Sequence, residues 1–235
     1  MGLLLLSYVL IFSVALMLVA FGGMFSERSG VINIGLEGTM VVGGFISLIV
    51  LGALTKANVH PVLIVIITII TAIVSGMLYS LLLAVACITF KADQTLVGTA
   101  MNLLSTAIAL IVTKNMTGGA ATSIQYNKEM FLFKIGGLEL NVFLIVGIIA
   151  LILAIIVLYK LKFGLRLKAC GENPHAADAV GINVTKYRYY GVLISGALAG
   201  VGALAYILSL LLLAFTSKNH HAPKAEGIPY DKEAR

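Results

Sequence analysis

Three short stretches of this 235-residue chain bring glycine and polar side chains together at spacings that could do chemistry. The first is Ser26-Glu27-Arg28-Ser29-Gly30-Val31-Ile32-Asn33-Ile34-Gly35-Leu36-Glu37-Gly38. Each glycine inside a helix costs about 1 kcal/mol against alanine, so three within nine residues oppose an unbroken helix. Asn33 and Glu37 stand four apart and share a face if the segment is helical. An acidic residue near a bilayer centre costs roughly 2.5–3.5 kcal/mol on insertion scales, so it has to face protein or water. One reading is a broken or closely packed helix that lines a solute pathway with Asn33 and Glu37. The other is an interfacial cap, with Glu27 and Glu37 among lipid headgroups. The coincidence of glycine and polar atoms favours the pathway.

The second stretch, Gly171–Ile182, contains Glu172, Asn173, Pro174, His175, Ala177, Asp178 and Gly181. Asn173 is a preferred N-cap, and Pro174 suits the first helical position, where no N–H is needed. Gly181 suits the left-handed position that ends a helix. The spacing predicts a two-turn helix with defined ends: a rigid knob for a partner protein, or a surface helix at the membrane. Its apolar side is only Ala177, Val180 and Ile182, which favours docking over adsorption. The third stretch, Gly191–Gly202, is a small-residue face built from Gly191, Ser195, Gly196 and Gly200, which predicts close helix packing. Asn102 and Ser105 sit one turn apart in an apolar run, suited either to hydrogen bonding between helices or to lining a pathway.

The elements that must position these groups follow from composition. The chain is 60% hydrophobic and only 11% charged, with mean hydropathy +1.06. Soluble domains carry roughly 45–50% apolar and about 25% charged residues, and disorder needs the opposite balance. An all-α, polytopic membrane protein is the class that remains. A span needs roughly 20 apolar residues, which predicts six: Leu3–Phe25, Val31–Leu54, Pro61–Phe90, Leu96–Thr113, Asn141–Leu161 and Arg188–Ala214. Pro61–Phe90 is read as one long tilted helix, and Asp93 as the N-cap of the next. Residues 1–214 then form one membrane domain.

The basic residues are read as topology signals, without nucleic acid as a partner. Loop 162–187, bordered by Lys160 and Arg188, holds the densest basic cluster and is placed in the cytoplasm. Counting back puts Ser26–Gly30 and Lys91 on the same side, and Lys56 with the Lys114–Leu140 loop outside, eight basic residues against four. The polar tail 215–235 would add four more outside, against the rule. It is expected to be atypical or disordered.

Several activities are excluded. The chain lacks the G-x-x-x-x-G-K-[ST] phosphate loop, H-E-x-x-H, and any span histidine to activate Ser195. Cys87 and Cys170 have neither metal-ligand spacing nor a disulfide framework. No catalytic residue, metal or cofactor is expected. The chain reads as a transport scaffold, not an enzyme.

Three segments carry a family resemblance: ERSGVINIGLEG at Glu27–Gly38, KADQTLVGTAMNLL at Lys91–Leu104, and GENPHAADAVGI at Gly171–Ile182 with LISGALAGVG at Leu193–Gly202. In these the chain resembles the permease subunits of bacterial ATP-binding-cassette importers of the ribose and branched-chain amino-acid class. Within that class it looks most like the nucleoside-type, simple-sugar permeases. Sugar permeases of the class usually have a GGIDLS-like sequence where this chain has NIGLEG, and amino-acid permeases an NFAHG-like one. The resemblance implies that Glu172–Ile182 is the cytoplasmic coupling helix and that Asn33–Gly38 lies near the translocation path. Asn102 is assigned to that path from its own polar character in an apolar run, not from the resemblance. It implies ATP bound by a separate ATPase subunit, a second permease in a heterodimer, an extracellular substrate-binding lipoprotein, and a place in the bacterial cell (inner) membrane. Family members run longer and continue with further helices, so a truncated, non-functional permease is one alternative. An ATP-independent secondary transporter is another, with Glu37 as its only intramembrane charge.

Overall fold

The computed structural model describes residues 2–117, 131–135 and 138–217. Its helices are α1 (Gly2–Arg28), α2 (Leu36–Lys56), α3 (Pro61–Ala84), α4 (Gln94–Thr117), α5 (Val142–Tyr159), α6 (Lys162–Glu172), α7 (Pro174–Ala179) and α8 (Val184–Ser217). A single π turn, Val85–Thr89, continues α3, so Pro61–Thr89 is one long element as predicted. Five elements are long and apolar enough to cross a membrane: Leu36–Lys56, Pro61–Thr89, Gln94–Met116, Val142–Tyr159 and Val184–Ile207. The apolar run of Leu3–Phe25 lies in α1, which packs beside them. The chain is a multi-pass, helical membrane protein.

Helix ends fall where the local chemistry places them. Pro61 opens α3, where a missing N–H costs nothing. Asp93 caps α4 by accepting from the Leu96 N–H at 2.9 Å. Gly30 ends α1 with φ +88. There the Val31 N–H bonds the Ser26 carbonyl and the Gly30 N–H bonds the Glu27 carbonyl, the paired geometry of a Schellman cap.

Two boundaries and two added elements differ from the sequence reading. The second span starts at Leu36, because residues 31–35 are a non-helical link. The last helix starts at Val184, before Arg188, because the Asn183 side chain caps it by accepting from the Lys186 N–H at 3.0 Å. Loop 162–187 contains the extra helix α6, whose buried face is Gly164, Leu167 and Cys170. The Lys114–Leu140 loop contains an antiparallel hairpin, β1 (Leu132–Ile135) with β2 (Leu138–Asn141), pairing Leu132 with Asn141. Gly136-Gly137 stands between those strands in sequence and is a hairpin signal. The tail expectation falls largely on 218–235, outside the described residues, while 215–217 belong to α8.

At the centre is α8, packed against α1, α2 and α3. Its small face permits this approach. A Cβ on Gly200 would run into the Ala72 carbonyl of α3, one on Gly196 into Ser80 and the Gly76 carbonyl, and one on Gly191 into Ser29. Small residues let backbones meet in lipid, where dispersion and polar contacts must replace the hydrophobic effect between helices.

The loops sort into two groups. At one end, Gly30 lies against Gly171 and Arg188, the Ile32 N–H bonds the Gln94 side chain, and Thr89 bonds the Tyr189 hydroxyl. At the other, Phe131 stacks on Phe143 with ring centroids 5.9 Å apart, in one apolar cluster with Leu54 and Val59. These are the two groups of loops that the charge pattern places on opposite sides.

Candidate functional site

The candidate site is the five-residue link, residues 31–35, between α1 and α2. Non-helical backbone packed among helices needs partners for its N–H and C=O groups. Here they come from three helices. The Ser26 hydroxyl donates to the Val31 carbonyl at 2.7 Å. The Ile32 N–H donates to Gln94 Oε1 at 2.8 Å. Asn102 acts twice: its Nδ2 donates to the Ile34 carbonyl at 3.1 Å, and its Oδ1 accepts the Gly38 N–H at 2.8 Å. The Gly35 carbonyl accepts both the N–H and the hydroxyl of Thr39, each at 2.9 Å.

Three of these contacts come from one stripe of α4. Gln94, Gly98 and Asn102 are spaced four apart, and so share a helix face. A Cβ at Gly98 would stand 2.7 Å from Ile34 Cβ and 3.0 Å from the Gly35 nitrogen. The glycine therefore lets the link lie on the helix while the two amides on either side of it grip the backbone. Tyr79 of α3 holds α4 in turn, its hydroxyl donating to the Met101 carbonyl at 2.6 Å. Gln94 and Tyr79 escaped the sequence reading. The signal for Gln94 was available, since Gln94-x-x-x-Gly98-x-x-x-Asn102 is a polar-small-polar face on an apolar helix.

Asn33 and Glu37 part company. Asn33 is 5% exposed and its Nδ2 donates to the Ser195 hydroxyl of α8 at 3.0 Å, while its Oδ1 has no hydrogen-bond partner among the described residues. Glu37 is exposed, in the first turn of α2, and its carboxylate has no hydrogen bond or ion pair among the described residues. The shared face required a helix through Asn33, and the helix begins only at Leu36. A carboxylate in a first turn is favoured by the helix dipole. Ser195, assigned to packing, is thus also a polar tie between α8 and the link. Beside the link, α2 and α3 enclose an open, mainly apolar groove of about 530 Å³ lined by Val42, Ile46, Ser75 and Tyr79.

The two-turn helix lies at the same end. In α7, Asn173 accepts from the Ala176 N–H at 3.0 Å, and Pro174 is the first helical residue. Gly181, at φ +79, closes the helix with Gly181 N–H to the Asp178 carbonyl and Ile182 N–H to the Ala177 carbonyl. Glu172, His175 and Asp178 are exposed, and Ala177 is buried. Gly171, in the last turn of α6, rests on the end of α1: a Cβ there would stand 2.5 Å from the Arg28 carbonyl. Neighbouring Cys170 is buried, which pushes its thiol up, while the Arg188 charge pulls the other way. No group of three or more metal-ligating side chains occurs among the described residues.

Comparison with known proteins places this geometry in context. Residues 5–218 match the family described as branched-chain amino acid transport system / permease component. The chain is 40% identical over 222 residues to the guanosine ABC transporter permease protein NupQ of Bacillus subtilis, covering 86% of this chain and 66% of that protein. It is 37% identical over 209 residues to the nucleoside ABC transporter permease protein NupC of Lactococcus lactis, covering 84% and 65%. NupB, a nucleoside ABC transporter permease protein of the same organism, is 39% identical over 67 residues, covering 28% and 18%. The chain thus spans just under two thirds of the length of NupQ and NupC. No solved structure matches it.

Proposed function

The chain belongs to the family of branched-chain amino acid transport system permease components, and on that premise we propose that it is a membrane-spanning subunit of an ATP-binding-cassette importer for nucleosides. In this reading a separate ATPase subunit binds and hydrolyses ATP, a second permease completes the translocation path, and an external lipoprotein delivers solute. NupQ and NupC, named for guanosine and nucleoside transport, support the substrate class. The membrane domain of this reading includes α8 to its end at Ser217.

One observation carries the mechanism: Gly171 seats the α6–α7 junction directly on the Arg28 carbonyl and on Gly30, the residue that opens the link. The ATPase grips α7 and the residues that lead into it through the exposed Glu172, Asn173, His175 and Asp178. Its movement passes through Gly171 to the α1 end, along residues 31–35, and through Asn33 to Ser195 of α8. The link is where a rigid helix would block such a displacement. Asn33 and Asn102 hold it and Glu37 faces the path.

The test is labelled guanosine uptake by the complex, with ATP hydrolysis followed in parallel. Gly171→Ala inserts a methyl group against the Arg28 carbonyl. Uptake falls several-fold while binding-protein-stimulated hydrolysis persists. Uptake and hydrolysis both at wild-type level would remove the coupling role from this contact.

A further inference from the structure

The basic residues of loop 162–187 do more than mark a side of the membrane, because α6 arranges three of them around exposed apolar side chains. The helix turns its Gly164–Leu167–Cys170 face inward. Outward it shows Leu165, 71% exposed, with Lys162 and Arg166 beside it and Leu161 one turn before. Lys168 lies on the other flank, its Nζ 3.7 Å from the ring centroid of Tyr159. Tyr159 is the last residue of α5, so that ammonium group sits level with the end of a membrane span. Arg166 is oriented from the opposite side, its Nη1 donating to the Tyr187 hydroxyl at 3.3 Å.

These charges have no acidic partner among the described residues. Between 160 and 172 the sequence holds four basic residues besides the one acidic residue, Glu172, and no ion pair to Lys162, Arg166 or Lys168 occurs among the described residues. Exposed leucines flanked by cations, with a tyrosine at the end of a span, are the pattern of a helix lying in the headgroup layer. We propose that α6 is an interfacial helix that binds the phosphodiester headgroups of anionic phospholipids through Lys162, Arg166 and Lys168, with Leu161 and Leu165 dipping among the acyl chains. Charge complementarity and the level of Tyr159 select lipid over a protein partner. The proposal stands independently of the importer reading, since it needs only the geometry of α5 and α6.

The experiment uses the purified full chain in neutral detergent, with phosphatidylglycerol and phosphatidylcholine as probes and native mass spectrometry counting the lipids retained. Each basic side chain near an anionic surface contributes about fivefold. Wild-type protein therefore retains phosphatidylglycerol over phosphatidylcholine by tenfold or more. In K162Q/R166Q/K168Q the preference disappears, in K162R/R166K/K168R it survives, and each single Gln variant loses about fivefold. Helicity and elution volume report folding, and the single variants decide the matter if the triple variant does not fold. Three results overturn the proposal: a triple Gln variant that is folded and keeps the preference, equal loss in K56Q/K114Q at the other end, or displacement of the lipid by inorganic phosphate.

Discussion

Asn102 completes the hydrogen bonding of two backbone groups that no other described residue serves, the Ile34 carbonyl and the Gly38 N–H. A buried polar group left without a partner costs about 1–3 kcal/mol. Asn102→Ala therefore lowers thermal stability in detergent by several degrees, and Asn102→Asp, which keeps the acceptor and loses the donor, falls between. Glu37→Gln removes a charge that has no hydrogen bond or ion pair among the described residues, so it loses only the helix-dipole contribution, at most about 1 kcal/mol, while under the proposed function guanosine uptake shifts as well. A larger stability loss in Glu37→Gln would mean that the carboxylate is a structural partner instead. The two residues look alike in sequence, as single polar groups in apolar runs. Only their surroundings separate a clamp from a free carboxylate.

Among the elements, α7 is the one whose sequence predicted its geometry most fully. Asn173, Pro174 and Gly181 each do what their covalent structure favours: a short side-chain acceptor, a missing N–H, and a residue without Cβ at positive φ. A Cβ at φ +79 is strained by roughly 1 kcal/mol, even though nothing lies within 4 Å of it. Gly181→Ala therefore speeds amide exchange in 174–182 about fivefold and leaves the spans unchanged; unaltered exchange would mean that the cap is not what holds α7. By contrast α6 was missed, although Leu161, Leu165, Lys162 and Arg166 already alternate apolar and basic at helical spacing. Basic residues satisfy the positive-inside rule wherever in a loop they fall, so their number alone carries no helical signal.

At the scale of the molecule, the bundle gathers Ser26–Gly30, Lys91 and α7 at one end and Val59 with Phe131 at the other. Single cysteines placed at Lys91 and His175, in a chain with Cys87 and Cys170 replaced by serine, react with an impermeant maleimide from the same side of sealed vesicles. A cysteine at Lys56 reacts only from the opposite side. Labelling of Lys91 and Lys56 from one side would break the alternation on which both the fold and the import reading rest.

The sequence by itself determined the membrane class, the main spans, the break near Asn33, the capped knob at α7 and the small face of α8. Each of these rests on residues close together in the chain: apolar run length, a cap three residues from its N–H, glycines four apart. Tertiary structure alone decided the rest. It moved the start of α2 past Asn33, set that residue on Ser195 from 162 positions away, and gave Asn102 two backbone partners on the far side of a helix contact. A buried amide takes whatever partner the packing brings within 3 Å, and linear spacing holds no record of which helix that is.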